Sequence, residues 1–269
     1  YAMFNSGAEL AIMDTSEAKT GTIAAHGTGG EAGMCVWVRY GAFYLYDGIM
    51  DASDASSKKN GTAVTLQANT YMYMYGGEII GGTSKYVYNE ANKTYSNGMA
   101  GAMCLNGKCK FTMYDGVIRD GVAQGTVSAW NKDGTPKTYQ RGAAGNIFMG
   151  SGSLLEMYGG EISALGDDAL RISGKNTTAL IAGGTISCAH SNFYAAYVQS
   201  GTLTVNGAGA NLEGKRALYV LSNAKAELTN GSLSAQNTGN NPAVRNTGEI
   251  MINGPVTIDS AGKLGIDNE

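Results

Sequence analysis

The chain repeats one short phrase along most of its length, and this repeat constrains the fold more than any other feature. The hexapeptide MYGGEI occurs at 74–79 and again at 157–162. Looser copies keep the same frame, among them FYLYDGIM, FTMYDGVI, LIAGGTI, LTVNGAG, ELTNGSL and IMINGPV. A phrase that returns at a period of roughly 20 to 50 residues predicts stacked supersecondary units that bury a core only against one another.

An apolar residue just before each turn marks the repeat. The markers are Ile12, Leu45, Met74, Met113, Met157, Ile181, Val205, Leu228 and Ile252, with successive spacings of 33, 29, 39, 44, 24, 24, 23 and 24 residues. The chain therefore contains about nine units, and the first four spacings carry insertions.

Each unit has the pattern of short strands. A leading strand such as GAMCLNG at 101–107 is followed by L-x-M-Y or L-x-V-N, a glycine turn, and a brief E-I or T-I segment. Apolar residues alternate at period two, the strand period, and no capped stripe of helical period is present. The 40 glycines among 269 residues fit the many turns. The sequence thus predicts an all-β chain with three strands per unit.

A unit of about 23 residues with three short strands matches one coil of a parallel β-helix, a solenoid in which successive coils rise by roughly 4.8 Å. We predict about nine coils, with loop insertions on one edge of the first half. Two inward columns are expected, the first formed by Met74, Met113 and Met157 and the second by Phe43, Met72 and Phe111.

The motif apolar-x-apolar-[Tyr/Asn]-x-Gly-x-Ile resembles the right-handed, pectate-lyase-like β-helix family, especially the repeat regions of large bacterial surface proteins. The resemblance implies a single-stranded right-handed solenoid and an extracellular or cell-surface location, and the motif specifies architecture, not activity. We predict one domain over 1–269, with loop-decorated coils at 1–156 and regular coils at 157–269. Strand-like sequence near both ends predicts a segment of a longer protein and end-to-end self-association.

Charge and residue usage argue against several kinds of partner. The net charge of −3 and pI near 5.5 predict neither nucleic-acid nor anionic-membrane binding, and no long apolar run predicts membrane insertion within this segment. Two histidines and no C-x-x-C pattern predict no metal site, and no cofactor is expected.

The four cysteines are expected to be mainly buried free thiols. Cys35 and Cys104 occupy matching positions in the tetrapeptides GMCV and AMCL, two coils apart, too far for a disulfide. Pairing of Cys104 with Cys109 across a hairpin stays open, and Cys188 has no evident partner.

The insertions are the first place to look for a binding face. Their extra residues are expected after the third strand of each early coil, so that they emerge along one edge. Two insertions are copies, KTYSNGMAGAMCL and KTYQRGAAGNIFM, predicted to be neighbours on adjacent coils. The candidate ligand-binding residues there, for a glycan or a host or bacterial surface protein, are Lys93, Tyr95, Trp130, Lys137 and Tyr139. The alternative is that these aromatics pin the loops to the solenoid.

A second candidate set follows the markers directly and consists of Tyr46, Tyr75, Tyr114 and Tyr158. Because each marker points inward, the next side chain should point outward or lie in the turn, forming a ladder with one ring per coil. This column either stacks for structural reasons or serves as a ligand platform.

A catalytic alternative rests on LGDDALRISG, which looks like the Gly-Asp-Asp strand of polygalacturonase-type hydrolases. Asp167 and Asp168 would supply acid and base, and His190 lies 22 residues beyond Asp168. The family's further Asp falls near Asn146 and its Arg-Ile-Lys is missing. Lyase chemistry would use calcium held by loop acids, for which the candidates are Asp51 with Asp54, or Asp115 with Asp120 beside Arg119.

The sequence favours a non-catalytic extracellular module, an adhesin or carbohydrate-contacting stalk. The alternative is a polysaccharide hydrolase or lyase acting on pectin-like or host glycans.

Overall fold

The computed structural model describes residues 2–3, 7–27, 33–58, 61–67, 69–85, 87–89, 94–96, 98–130, 136–141, 144–236, 241–262 and 264–269. Within that set, the backbone alone is described at 2–3, 58, 87–89, 94–96, 125–130 and 136–141. The regular elements of this part of the chain are the strands β1 (Ala2–Met3), β2 (Glu9–Ile12), β3 (Thr22–Ala24), β4 (Val36–Val38), β5 (Ala42–Leu45), β6 (Ile49–Asp51), β7 (Ser56–Lys58), β8 (Val64–Gln67), β9 (Tyr71–Met74), β10 (Glu78–Ile80), β11 (Thr83–Lys85), β12 (Val87–Asn89), β13 (Thr94–Ser96), β14 (Met103–Asn106), β15 (Lys110–Met113), β16 (Val117–Arg119), β17 (Val122–Trp130), β18 (Pro136–Arg141), β19 (Ile147–Met149), β20 (Leu154–Met157), β21 (Glu161–Ala164), β22 (Leu170–Ile181), β23 (Gly184–Cys188), β24 (Ala196–Gly214), β25 (Leu218–Ala235), β26 (Val244–Asn246), β27 (Glu249–Ile252), β28 (Val256–Ser260) and β29 (Ile266–Asn268).

Three parallel stacks of strands wind around one core. The leading face contains β1, β4, β8, β14, β19, the starts of β22, β24 and β25, and then β26 and β29. The marker face contains β2, β5, β9, β15, β20, the next parts of β22, β24 and β25, and β27. The closing face contains β3, β6, β10, β16, β21, β23, the last parts of β24 and β25, and β28. The fold is therefore a parallel β-helix, as predicted.

The nine markers are consecutive partners along the marker face. Ile12 pairs with Leu45 at one end, Leu228 pairs with Ile252 at the other, and the five markers between them follow in unbroken register. This confirms the alignment of the repeat to the residue, and each marker defines one coil, numbered 1 to 9 below.

The two predicted inward columns are present. Met74, Met113 and Met157 are fully buried, and so are Phe43, Met72 and Phe111 in the second column. Each such side chain contributes about 1.5–3 kcal/mol through burial. The register needed for this is strict, because a slip of one residue would turn both columns into solvent.

The repeated hexapeptide MYGGEI is explained by one corner of the coil. In the second copy Met157 points inward, Tyr158 points outward, and Ile162 returns to the core. Gly160 turns the chain at φ +83°, and a Cβ there would lie 2.5 Å from the Cε of Met113 and 2.6 Å from the carbonyl oxygen of Gly116. A side chain at this position would therefore be strained and would also clash with the previous coil.

The insertions form regular strands where irregular loops were expected. In coils 2 to 4 they leave the corner between the closing and leading faces, where β7, β11 and β17 pair in parallel and β18 pairs antiparallel with β17. The strands β12 and β13 form a separate hairpin. The two copied segments are in matching positions, since Ala100 and Ala144 form a parallel bridge. Coil 1 differs from the prediction, because residues 13–21 are inserted between β2 and β3.

Inserted residues pack over the outside of the leading face. Trp37, Thr65 and Cys104 occupy one outward column, yet all three are buried. The Sγ of Cys104 lies 3.8 Å from the Sδ of Met99, a residue of the third insertion. The predicted binding loops thus begin as a cover for the solenoid wall.

All four cysteines are free and buried, and the open question of a disulfide between Cys104 and Cys109 is answered by this structure. Burial raises the pKa of the Cys104 thiol to about 12. The predicted match between Cys35 and Cys104 is wrong, since Cys104 aligns with Trp37 through Thr65. The reason is that the inward Val36 follows Cys35, whereas the inward Met103 precedes Cys104.

Candidate ligand-binding face

A column of stacked tyrosines follows the marker face at its corner with the closing face. We call Tyr46, Tyr75, Tyr114 and Tyr158 the tyrosine ladder. Their ring centroids are 4.9, 5.0 and 5.6 Å apart in chain order, and the ring planes differ by 7°, 10° and 15°. The exposed fractions of Tyr75, Tyr114 and Tyr158 are 41%, 44% and 46%. The predicted outward ladder is therefore present, and its spacing follows the rise of the coils.

Other tyrosines of the marker face widen the aromatic surface. Tyr44 stacks on Tyr73 at 5.3 Å and lies 6.4 Å from Tyr46. Tyr71 is 48% exposed on the same strand as Tyr73. We call these three and the ladder the tyrosine face. The additional tyrosines were missed by the sequence analysis, although the i, i+2 spacing in FYLY and YMYMY signals them.

Electrostatics on the tyrosine face are balanced. Lys110 and Glu156 form an ion pair at 2.8 Å between neighbouring coils, and the hydrogen bond to Glu156 raises the pKa of Lys110. Partial desolvation raises the pKa of Tyr75 above its usual range, and the neighbouring Tyr114 raises it further by a smaller amount. The face therefore presents phenol hydroxyl groups and one compensated ion pair.

The stacking decides which parts of the rings a ligand can reach. Tyr75 has a parallel ring on either side, at 4.9 and 5.0 Å, and Tyr114 has the same at 5.0 and 5.6 Å. Their flat faces are thus covered by each other, and ring edges with hydroxyl groups point to solvent. A ligand could stack face to face only at an end of the ladder.

The candidate residues of the insertions lie apart from the ladder. The backbones of Trp130, Tyr139, Lys137 and Tyr95 belong to β17, β18 and β13, while their side chains and the whole of Lys93 lie outside the described residues. These strands start from the corner between the closing and leading faces, whereas the ladder follows the other end of the closing face. The topology therefore does not join the two predicted sets into one site.

The residues of the hydrolase alternative are engaged in holding neighbouring coils together. Asp167 and Asp168 are 6% and 1% exposed. The Asp167 carboxylate accepts a bond from the backbone N–H of Ala123 at 3.0 Å, and Asp168 accepts one from Tyr194 at 2.8 Å. Both are buried structural acceptors, which opposes a role beside a scissile bond.

Among the residues that the structure describes, the contacts of the His190 side chain are with its own turn and not with Asp167 or Asp168. Its Nδ1 accepts the backbone N–H of Asn192 at 3.1 Å, and its ring lies 4.8 Å from that of Phe193. These contacts fix a local turn.

The loop acids of the lyase alternative are also dispersed. Asp51 accepts the backbone N–H of Ser53 at 2.8 Å, and Asp54 lies 3.6 Å from His26. Asp115 accepts the N–H of Gly116 in its own turn, while Asp120 pairs with Arg119. Among the residues that the structure describes, no group of three or more His, Cys, Asp or Glu side chains is arranged to hold a metal ion. That same part of the chain contains no helix long and apolar enough to span a bilayer.

The regular coils carry a second aromatic cluster that the sequence analysis did not identify. On the leading face Arg171, Tyr197, Tyr219 and Arg245 are consecutive partners in one outward column. The guanidinium of Arg171 lies 4.6 Å from the Tyr197 ring centre and that of Arg245 lies 5.2 Å from Tyr219. Arg216 covers Tyr194 in the same way at 5.4 Å. We call these six residues the arginine–tyrosine stack.

A groove of about 1020 Å³ runs along the corner between the leading and marker faces of the later coils. It is lined by small polar side chains such as Ser200, Thr202 and Asn223, with no aromatic ring. Its Lys225 is held by Glu227 at 3.0 Å and by Glu249 at 3.4 Å. The groove therefore offers hydrogen bonds but no stacking surface.

No protein-family model, curated protein or solved structure matches this chain.

Proposed function

We propose that this chain is a non-catalytic β-helix module of an extracellular or cell-surface bacterial protein, an adhesin or a carbohydrate-contacting stalk. Its partner is a glycan or a surface protein, which it contacts through the tyrosine face. The observation that carries this proposal is the ladder itself, which leaves three consecutive tyrosines each more than 40% exposed along one corner of the solenoid.

The coil does not need an exposed aromatic ring at the ladder position in order to form, because the later coils have none there. At the position of the ladder they carry Ala182, Asn206, Thr229 and Asn253. A contiguous aromatic patch rimmed by polar groups is typical of an interaction surface. A single aromatic contact is worth only about 0.5–1.5 kcal/mol. Measurable affinity therefore needs contacts with several tyrosines at once.

The experiment that tests the proposal measures retention and product formation together. The chain is incubated with a panel of pectins and host glycans, and a double variant, Tyr75→Ala with Tyr114→Ala, is compared with the control Tyr40→Ala. We expect retention of a glycan without new reducing ends or unsaturated products, and we expect the double variant to lose retention. Tyr40 is a suitable control because it is 49% exposed and lies off the tyrosine face.

Two outcomes would reject the proposal. Release of reducing ends or unsaturated sugars would favour the hydrolase or lyase alternative. Equal retention by the double variant and the control would place the contact away from the tyrosine face.

A further inference from the structure

The tyrosine ladder stops abruptly where the regular coils begin. Met157 pairs with Ile181 on the marker face, so the residue after Ile181 takes the place that Tyr158 has one coil earlier. That residue is Ala182, whose Cβ points outward like the Tyr158 side chain. The face of the Tyr158 ring that is turned away from Tyr114 therefore has no following ring, and the residue as a whole is 46% exposed.

The gap beside Tyr158 has the thickness of one ring. The next outward side chain in the column is Asn206, because Ile181 pairs with Val205. Tyr158 and Asn206 are thus two coils apart, or about 10 Å. Neighbouring ladder rings are 4.9–5.6 Å apart, so one more flat ring fits midway between them. The floor is Ala182 and Gly183, which add no side chain beyond a methyl group.

Polar and apolar groups surround this gap in a mixed arrangement. Glu156, Leu180 and Thr204 are successive partners on the marker face, two residues before Tyr158, Ala182 and Asn206. The Tyr158 hydroxyl lies 3.5 Å from a Glu156 carboxylate oxygen, which Lys110 also holds at 2.8 Å. The gap therefore combines one aromatic face that no further ring covers with a hydroxyl, an amide and a carboxylate at its rim.

A pyranose sugar has matching chemistry. Its C–H face is apolar and stacks on an aromatic ring, while its rim carries hydroxyl groups that both donate and accept hydrogen bonds. A uronic acid fits less well, because the nearby Lys110 is already paired with Glu156 and the sugar carboxylate would lose hydration without gaining a cationic partner.

We propose that a neutral pyranose ring binds in this gap, stacked on the open face of Tyr158 above Ala182, in the place of the missing fifth tyrosine. This rests on the proposed function, for which it names the ligand class and the position of the principal contact. It also explains how a ladder with covered ring faces contacts a sugar, since the ladder holds Tyr158 upright and offers one face at its end.

The test fills the gap with a protein ring. Methyl glycosides of glucose and galactose, with galacturonic acid as the acidic comparison, are titrated and followed by saturation-transfer NMR. We expect the wild-type chain to bind a neutral glycoside and to bind galacturonic acid more weakly. The variant Ala182→Tyr extends the ladder into the gap and should abolish this binding, and Tyr158→Ala should abolish it by removing the platform.

Asn253→Tyr is the matched control, because it adds the same ring at the same turn three coils further on, where binding should stay unchanged. Thermal unfolding verifies that each variant is folded. Undiminished sugar binding by folded Ala182→Tyr would overturn the gap as the site, while leaving the proposed function intact. If the wild-type chain binds no glycan of the pectin and host panel either, the carbohydrate-contacting form of the proposed function fails with it.

Discussion

Single residues of the repeated phrase each meet a separate demand of the coil. Met157 fills the core, Tyr158 extends the ladder, and Gly160 provides a left-handed turn pressed against the coil before it. The methionine is well suited to its place, because its flexible thioether lies against the turn glycine of the next coil, where a Cβ at Gly184 would be 2.7 Å from the Cε of Met157. The hexapeptide MYGGEI therefore combines core filling, ring stacking and a chain turn within six residues.

Gly160→Ala should lower the free energy of unfolding by about 1–3 kcal/mol. The new Cβ would be held at φ +83° and pressed onto Met113 Cε. Chemical denaturation measures the change. Gly209→Ala is the control, since a Cβ there meets nothing within 4 Å. Equal stability of the two variants would show that the turn relaxes freely.

Elements of the later coils are held on their outer side by the arginine–tyrosine stack. Tyr219 has Tyr197 edge-on at 5.2 Å, Tyr194 at 5.2 Å and the Arg245 guanidinium at 5.2 Å. The stack thereby covers β22, β24, β25 and β26 on the leading face, as the insertions cover the earlier coils. Each part of the solenoid thus has its own outer packing over the same face.

Tyr219→Ala should destabilise the chain by about 2 kcal/mol, because it removes two aromatic contacts and one cation–π contact together. Tyr40→Ala, a change at an exposed residue, should have little effect. The comparison is made by urea denaturation at one pH. If Tyr219→Ala were as stable as Tyr40→Ala, the contacts of Tyr219 in the stack would contribute no measurable free energy of unfolding.

The whole molecule is coupled along one direction only. Each core strand pairs with its equivalent one coil before and one coil after, so interaction energy passes between neighbouring coils. Among the core strands that the structure describes, pairing joins only neighbouring coils. Local damage should therefore spread along the axis and weaken with distance.

Leu228→Asp tests this coupling, because it places an unpaired charge in the core between Val205 and Ile252. Hydrogen exchange should show lost protection in β24, β25 and β27, with β5 and β9 retaining theirs. Asn253→Asp, which adds the same charge at an exposed turn, is the control. Uniform loss of protection over all described strands would show that the solenoid unfolds as one unit.

Much of the fold was contained in the sequence because a solenoid turns sequence periodicity directly into spatial neighbours. The alternation of apolar residues fixed the inward columns, and the shared position of each marker just before its turn fixed their register across unequal spacings. The cysteine alignment failed because the tetrapeptides GMCV and AMCL look alike, whereas the side-chain direction is set by the inward Val36 and Met103.

By itself the sequence determined the repeat, the inside and outside of each strand, and the existence of an outward tyrosine column. Only the tertiary structure decided how the rings of that column pack. The axial rise brings the rings close enough to cover one another, so the single ring face left without a following tyrosine, at Tyr158, depends on the packing of residues 24 to 44 positions apart. The arginine–tyrosine stack and the inserted strands arise in the same way, since their contacts join residues that no local pattern connects.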